Sequence, residues 1–128
     1  MKKVMVVEDD RAVLDLLGIV LSDAGYKTVL LPRSEDIPQK VAAEKPDLVL
    51  LDILIEPKHG MEVLASLTEM QSHPPVILIS AAVKGVREMG QIAKALGCFD
   101  FIEKPFDVTD LLSRVRSALK KSGRSVAA

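Results

Sequence analysis

The run Leu48-Val49-Leu50-Leu51-Asp52, introduced by Pro46-Asp47, sets the tightest limit on how this chain can fold. Four consecutive aliphatic residues, with no alternation of polar and apolar, describe a strand buried on both faces, as in a parallel sheet covered by helices. The run then stops on a carboxylate. Open α/β sheets place their ligand sites outside the carboxyl ends of their strands, so Asp52 stands where such a site would be built. An Asp that merely opens a turn would look the same in isolation, and residues elsewhere must distinguish the two.

Four other short apolar runs have the same character. Val4-Met5-Val6-Val7 ends on Glu8-Asp9-Asp10, Thr28 to Leu31 forms the next, Val76 to Ile79 ends on Ser80-Ala81-Ala82, and Cys98 to Ile102 ends on Glu103-Lys104-Pro105. Between them lie stretches of helical periodicity. Arg11 to Ala24 carries Val13, Leu14, Leu16, Leu17, Ile19, Val20 and Leu21, with Asp10 as its cap and Gly25 to close it. A second helix is predicted to start near Ile37 or Pro38 and run to Glu44, capped by Asp36, because Pro38 cannot occupy a helix interior. Ile53 to Gly60 reads as a loop, Met61 to Met70 and Val86 to Leu96 as helices, and Thr109 to Lys121 as the last helix, capped by Thr109. Residues 1–121 are therefore expected to form one domain, with 122–128 as a tail or the start of a linker.

Five strands alternating with five helices describe an α/β fold, a doubly wound parallel sheet with helices on both faces. Right-handed crossovers leave few strand orders, of which the flavodoxin-like 2-1-3-4-5 suits five strands. That order brings Glu8 and Asp9 beside Asp52, with Ser80 on its other side and Lys104 within reach. The 128 residues carry a net charge of -1, and this balance lacks the basic excess of a nucleic-acid-binding surface. Charged residues follow so soon after the first apolar run that neither a signal peptide nor a membrane span is expected. Cys98 is the single cysteine; it suits packing and is compatible with a reduced, cytoplasmic setting.

Three neighbouring carboxylates repel at neutral pH unless their pKa values rise or a cation joins them. Mg2+ suits such a site, since it binds through a few carboxylates and keeps several waters. A carboxylate can attack a phosphoryl group to give an acyl phosphate, while Lys104 and Ser80 contact the equatorial oxygens. The combination fits phosphorylation of Asp52 itself.

Glu8-Asp9, Leu50-Leu51-Asp52, Ile79-Ser80-Ala81 and Phe101-Ile102-Glu103-Lys104-Pro105-Phe106, in this order and at these strand ends, make the chain resemble the receiver domains of bacterial two-component response regulators, of the chemotaxis-protein-Y type. The resemblance spans Val4 to about Lys121. It implies that Asp52 accepts a phosphoryl group from a histidine kinase or histidine phosphotransfer protein and passes the signal to an output protein or domain. It further implies Mg2+ held by Asp9, by Glu8 through a water, by Asp52 and by the backbone carbonyl of Leu54. Ser80 and Phe101 would form the switch, Lys104-Pro105 a cis peptide, and the face near the fourth helix, fifth strand and fifth helix a dimer or output surface.

The sequence departs from the family in the loop after Asp52. Many receivers have Met-Pro there and an acidic residue before the Gly, whereas this chain has Glu56-Pro57-Lys58-His59-Gly60, which predicts an unusual course over the site. His59 alone reads as a solvated loop residue ahead of a metal ligand or phosphoryl donor. Competing functions fit less well. A Mg2+-dependent phosphatase with an Asp nucleophile would carry a second Asp two residues on, where Leu54 stands, and a flavin or nucleotide module would not place Glu8-Asp9-Asp10 in its phosphate loop. A pseudo-receiver would not need the full set of acidic, hydroxyl and ammonium groups present.

Overall fold

A computed structural model of the chain shows each of these runs as an element. In chain order they are β1 (Lys3–Val7), α1 (Arg11–Asp23), β2 (Lys27–Leu31), α2 (Ile37–Glu44), β3 (Leu48–Asp52), α3 (Gly60–Thr68), β4 (Val76–Ala81), α4 (Val86–Ala95), β5 (Asp100–Lys104) and α5 (Val108–Ala127). Side chains are described for residues 1–120; the tail expected over 122–128 lies outside these described residues.

All strand pairs are parallel, in the order β2-β1-β3-β4-β5. Successive strand residues face opposite ways, and the two helical layers sort accordingly. Met5, Val7, Val49, Leu51 and Leu78 join Ile37, Val41, Val63, Leu64, Leu67 and Ala93 under α2, α3 and α4. Val4, Val6, Leu48, Leu50, Ile77 and Ile79 join Leu14, Leu17, Leu21, Leu111 and Val115 under α1 and α5. Every residue of β3 is buried, whereas the edge strand β2 has none that is. β3 is thus the central strand, with helices on both faces, and its last residue is held at the sheet rim.

Helix boundaries follow local chemistry. Asp10 caps α1 by accepting from the amides of Ala12 and Val13, and Gly25 takes the left-handed conformation beyond it (φ +96°). Three expectations need correction. Asp36 makes no side-chain cap on α2; it adopts φ 54° and its carbonyl accepts from Lys40. Thr109 is not the cap of α5, because Asp107 accepts from the amides of both Thr109 and Asp110. The fifth strand begins at Asp100, not Cys98. The Cys98 amide is taken by the carbonyl of Ala93 in the turn closing α4, so pairing starts later and runs on to Ala81 opposite Lys104.

Candidate functional site

The carboxyl ends of β1, β3 and β5 converge, and their register sets what meets there. Val7 pairs with Leu51, so the residues that follow, Glu8 and Asp52, emerge side by side. One carboxylate oxygen from each of Glu8, Asp9 and Asp52 can be chosen so that all lie within 4.8 Å of one another. Glu8 and Asp52 are buried while Asp9 is exposed, which leaves one side of the cluster open to water. Oxygens on opposite sides of a six-coordinate Mg2+ lie about 4 Å apart, so the spacing and chemistry of this donor set fit a hard divalent cation.

Lys104, the last residue of β5, reaches across β4's end to both buried acids. Its Nζ donates to Asp52 Oδ2 at 3.1 Å and lies 2.5 Å from Glu8 Oε1. One ammonium facing two buried carboxylates leaves an excess of negative charge. Burial pushes the Glu8 carboxyl up to about 7, with the Asp52 carboxylate adding to the rise and Lys104 opposing it. The Lys104 ammonium is itself held above its ordinary value, its acidic partners outweighing the burial that opposes them. A cation relieves the same imbalance.

The remaining predicted residues are arranged around this cluster. Leu54 turns its side chain outward while its amide donates to Asp52 Oδ1 at 3.0 Å, so the backbone folds back against the acid. Ser80 is buried on β4, one residue beyond Ile79, the register partner of Asp52, and its hydroxyl donates to the Ala81 carbonyl at 3.2 Å. Phe101 packs half-buried against the core under α4, where Gly90 makes room for it; a Cβ there would lie 3.1 Å from the ring. The Lys104-Pro105 peptide is cis, and so is Glu56-Pro57.

The loop after Asp52 contains contacts that its polar composition did not disclose. His59 is half-buried, and its Nδ1 accepts from the Met61 amide at 3.2 Å, which makes it the cap of α3 and not a freely solvated side chain. A Cβ on Gly60 would come within 2.5 Å of Ile53 Cα and 2.6 Å of the Asp52 carbonyl oxygen. Only glycine can press this closely on the backbone of the acid. Fully buried Ser34, from the loop after β2, binds both backbone groups of Lys58. Its burial had no signal in the sequence beyond a small polar residue between two charged ones.

The profile of the response regulator receiver domain matches residues 4–116. The chain belongs to that family. This receiver domain is 29% identical over 121 residues to the Bacillus subtilis (strain 168) alkaline phosphatase synthesis transcriptional regulatory protein PhoP, covering 94% of this chain and 50% of that protein. It thus spans about half the length of that relative. Among solved structures, the BeF3-activated N-terminal receiver domain of Klebsiella pneumoniae RstA is similar at a TM-score of 0.83 and 32% identity, over 92% of this chain and 98% of that one. NtrX from Brucella abortus, in complex with ADP, matches at a TM-score of 0.87 and 30% identity, over 99% of this receiver domain but 30% of the NtrX chain. Among the described residues, no helix of the receiver domain is long and apolar enough to cross a membrane.

Proposed function

We propose that Asp52 is the phosphoacceptor of this receiver domain and that a phosphohistidine, on a histidine kinase or phosphotransfer protein, is its donor. The observation that carries this reading is the convergence of Glu8, Asp9 and Lys104 on the one buried carboxylate at the end of β3. An Asp52 oxygen attacks phosphorus; the new P–O bond forms as the P–N bond to the donor imidazole breaks, and the electron pair leaves with the ring nitrogen. The product is an acyl phosphate on Asp52. Mg2+, when bound by Glu8, Asp9, Asp52 and the Leu54 carbonyl, neutralises charge on the transferring group. Lys104, freed from its pairing with the Asp52 carboxylate, meets the phosphoryl oxygens, and Ser80 rotates its hydroxyl from the Ala81 carbonyl towards them. Phe101 follows into the space beside Ser80.

The domain acts as a signalling phosphoacceptor in the cytoplasm and assists only its own phosphorylation and dephosphorylation. Its functional unit is residues 1–121. The face of α4, β5 and α5, with Ile92 and Leu96 exposed on the α4 side, meets the output partner or a second copy. BeF3 activation of the RstA receiver domain supports an acceptor carboxylate in the equivalent fold, since beryllofluoride has the shape and charge of a phosphoryl group.

Incubation with Mg2+ and acetyl phosphate, followed by intact-mass measurement, tests this reading. One added phosphoryl group, lost in Asp52→Asn and in the absence of Mg2+, is the expected result. A wild-type chain that stays unmodified with several small donors and with phosphohistidine overturns it.

A further inference from the structure

The β3–α3 loop, 53–59, carries the Leu54 backbone and returns through Gly60 onto the Asp52 carbonyl, so its course decides where these groups lie. Three hydrogen bonds from a single residue on another loop hold it. The Ser34 amide donates to the Glu56 carbonyl at 2.9 Å, the Ser34 hydroxyl donates to the Lys58 carbonyl at 2.7 Å, and the Lys58 amide donates back to the same hydroxyl oxygen at 2.7 Å. Ser34 is fully buried; among the described residues the other buried polar or charged ones, Glu8, Asp52 and Ser80, belong to the site itself. A buried hydroxyl that at once donates to one backbone group and accepts from another is a fixed joint, since rotation to another partner would break the donated bond.

We propose that Ser34 is a positioning residue of the phosphorylation site, clamping the loop that presents the Leu54 carbonyl and closes over Asp52. The inference rests on the phosphoacceptor reading above for its consequence, though not for the clamp. Lys58 itself is exposed, so its segment can move towards water once the hydroxyl is removed. The adjoining anchors remain in such a variant: the Ser34 amide still donates to the Glu56 carbonyl at 2.9 Å, Gly60 still donates to the Ile53 carbonyl at 2.7 Å, and His59 still caps α3. The stretch about Lys58, tied to Ser34 through the hydroxyl alone, is the part set free and can shift the course of the loop.

Ser34→Ala and Ser34→Cys, the second keeping the volume while hydrogen-bonding poorly, are compared with Leu21→Ala, a core truncation at the far end of α1 that lowers stability without touching the loop. In metal-free protein, amide exchange at Lys58, and at Leu54 in the same loop, should quicken at least about tenfold in both Ser34 variants, relative to core amides of β3. Mg2+ affinity by calorimetry should fall about three- to tenfold, the range of one lost hydrogen bond. Leu21→Ala should change neither at matched fraction folded. Wild-type exchange and affinity in the Ser34 variants overturn the proposal, as does an equal change in Leu21→Ala. If the wild type takes no phosphoryl group while the Ser34 variants still loosen Leu54 and Lys58, the clamp stands and the phosphoacceptor reading falls.

Discussion

Glu8 is held in a conflict that a cation resolves. Its carboxyl keeps a proton up to about pH 7 because it is buried beside Asp52, and the single ammonium of Lys104 does not offset this. With the folded value above the ordinary 4.5, Glu8 supports the metal-free fold fully below about pH 4.5, and that contribution disappears as pH rises through 7. Mg2+ requires the carboxylate, so its affinity should increase from pH 5.5 to 8 with release of a proton on binding near pH 6. Calorimetry in buffers of different ionisation enthalpy measures that proton; Glu8→Gln should abolish its release, and pH-independent affinity in the wild type would contradict the assignment. Gly60 is constrained by space and not charge. Gly60→Ala drives a methyl against Ile53 Cα and the Asp52 carbonyl, and should cost about 1–3 kcal/mol in urea denaturation. Glu8, Asp9, Asp52 and Lys104 were legible as a group because each ends a strand. Ser34 was not, because it acts on backbone groups brought in from another loop; His59 was not, because in sequence an imidazole that accepts from the amide two residues on looks the same as a solvated one.

Among the elements, the strands and most helices stand where periodicity places them, and the differences arise at their ends. A cap is a choice between neighbouring polar residues, and backbone geometry makes it. Asp107 and Thr109 are both good capping types, yet only the Asp107 carboxylate reaches the free amides of the first turn of α5. Asp107→Ala should therefore cost about 1 kcal/mol, and Thr109→Ala much less. Equal losses in thermal denaturation would show that the cap is shared. At α2 the rigid ring of Pro38 predicted a start near Ile37 or Pro38, and the helix begins at Ile37, but Asp36 takes a left-handed backbone and its carboxylate makes no cap. At β5 the start depends on where α4 finishes, since the Ala93 carbonyl takes the Cys98 amide before the sheet can.

For the whole molecule, the sheet order predicts how stability is distributed. Leu50 and Leu51 face opposite helical layers and both are fully buried, so Leu50→Ala and Leu51→Ala should each cost about 2–5 kcal/mol. Leu30 on the edge strand is 37% exposed, and Leu30→Ala should cost well under half as much. Urea midpoints at unchanged m-value check this; a tolerant face of β3 would contradict a sheet covered by helices on both faces. The unbroken aliphatic run, its terminal Asp and the alternation of strand and helix determined the parallel sheet, its order and the meeting of acidic strand ends. These depend on burial pattern and crossover handedness, which the sequence carries locally. Tertiary structure alone decided that Lys104 pairs with two acids, that Glu8 is desolvated enough to hold its proton, that Phe101 lies over Gly90, and that Ser34 clasps the loop beside Asp52. Each of these depends on the distance between residues far apart in the chain, and no local pattern contains that distance.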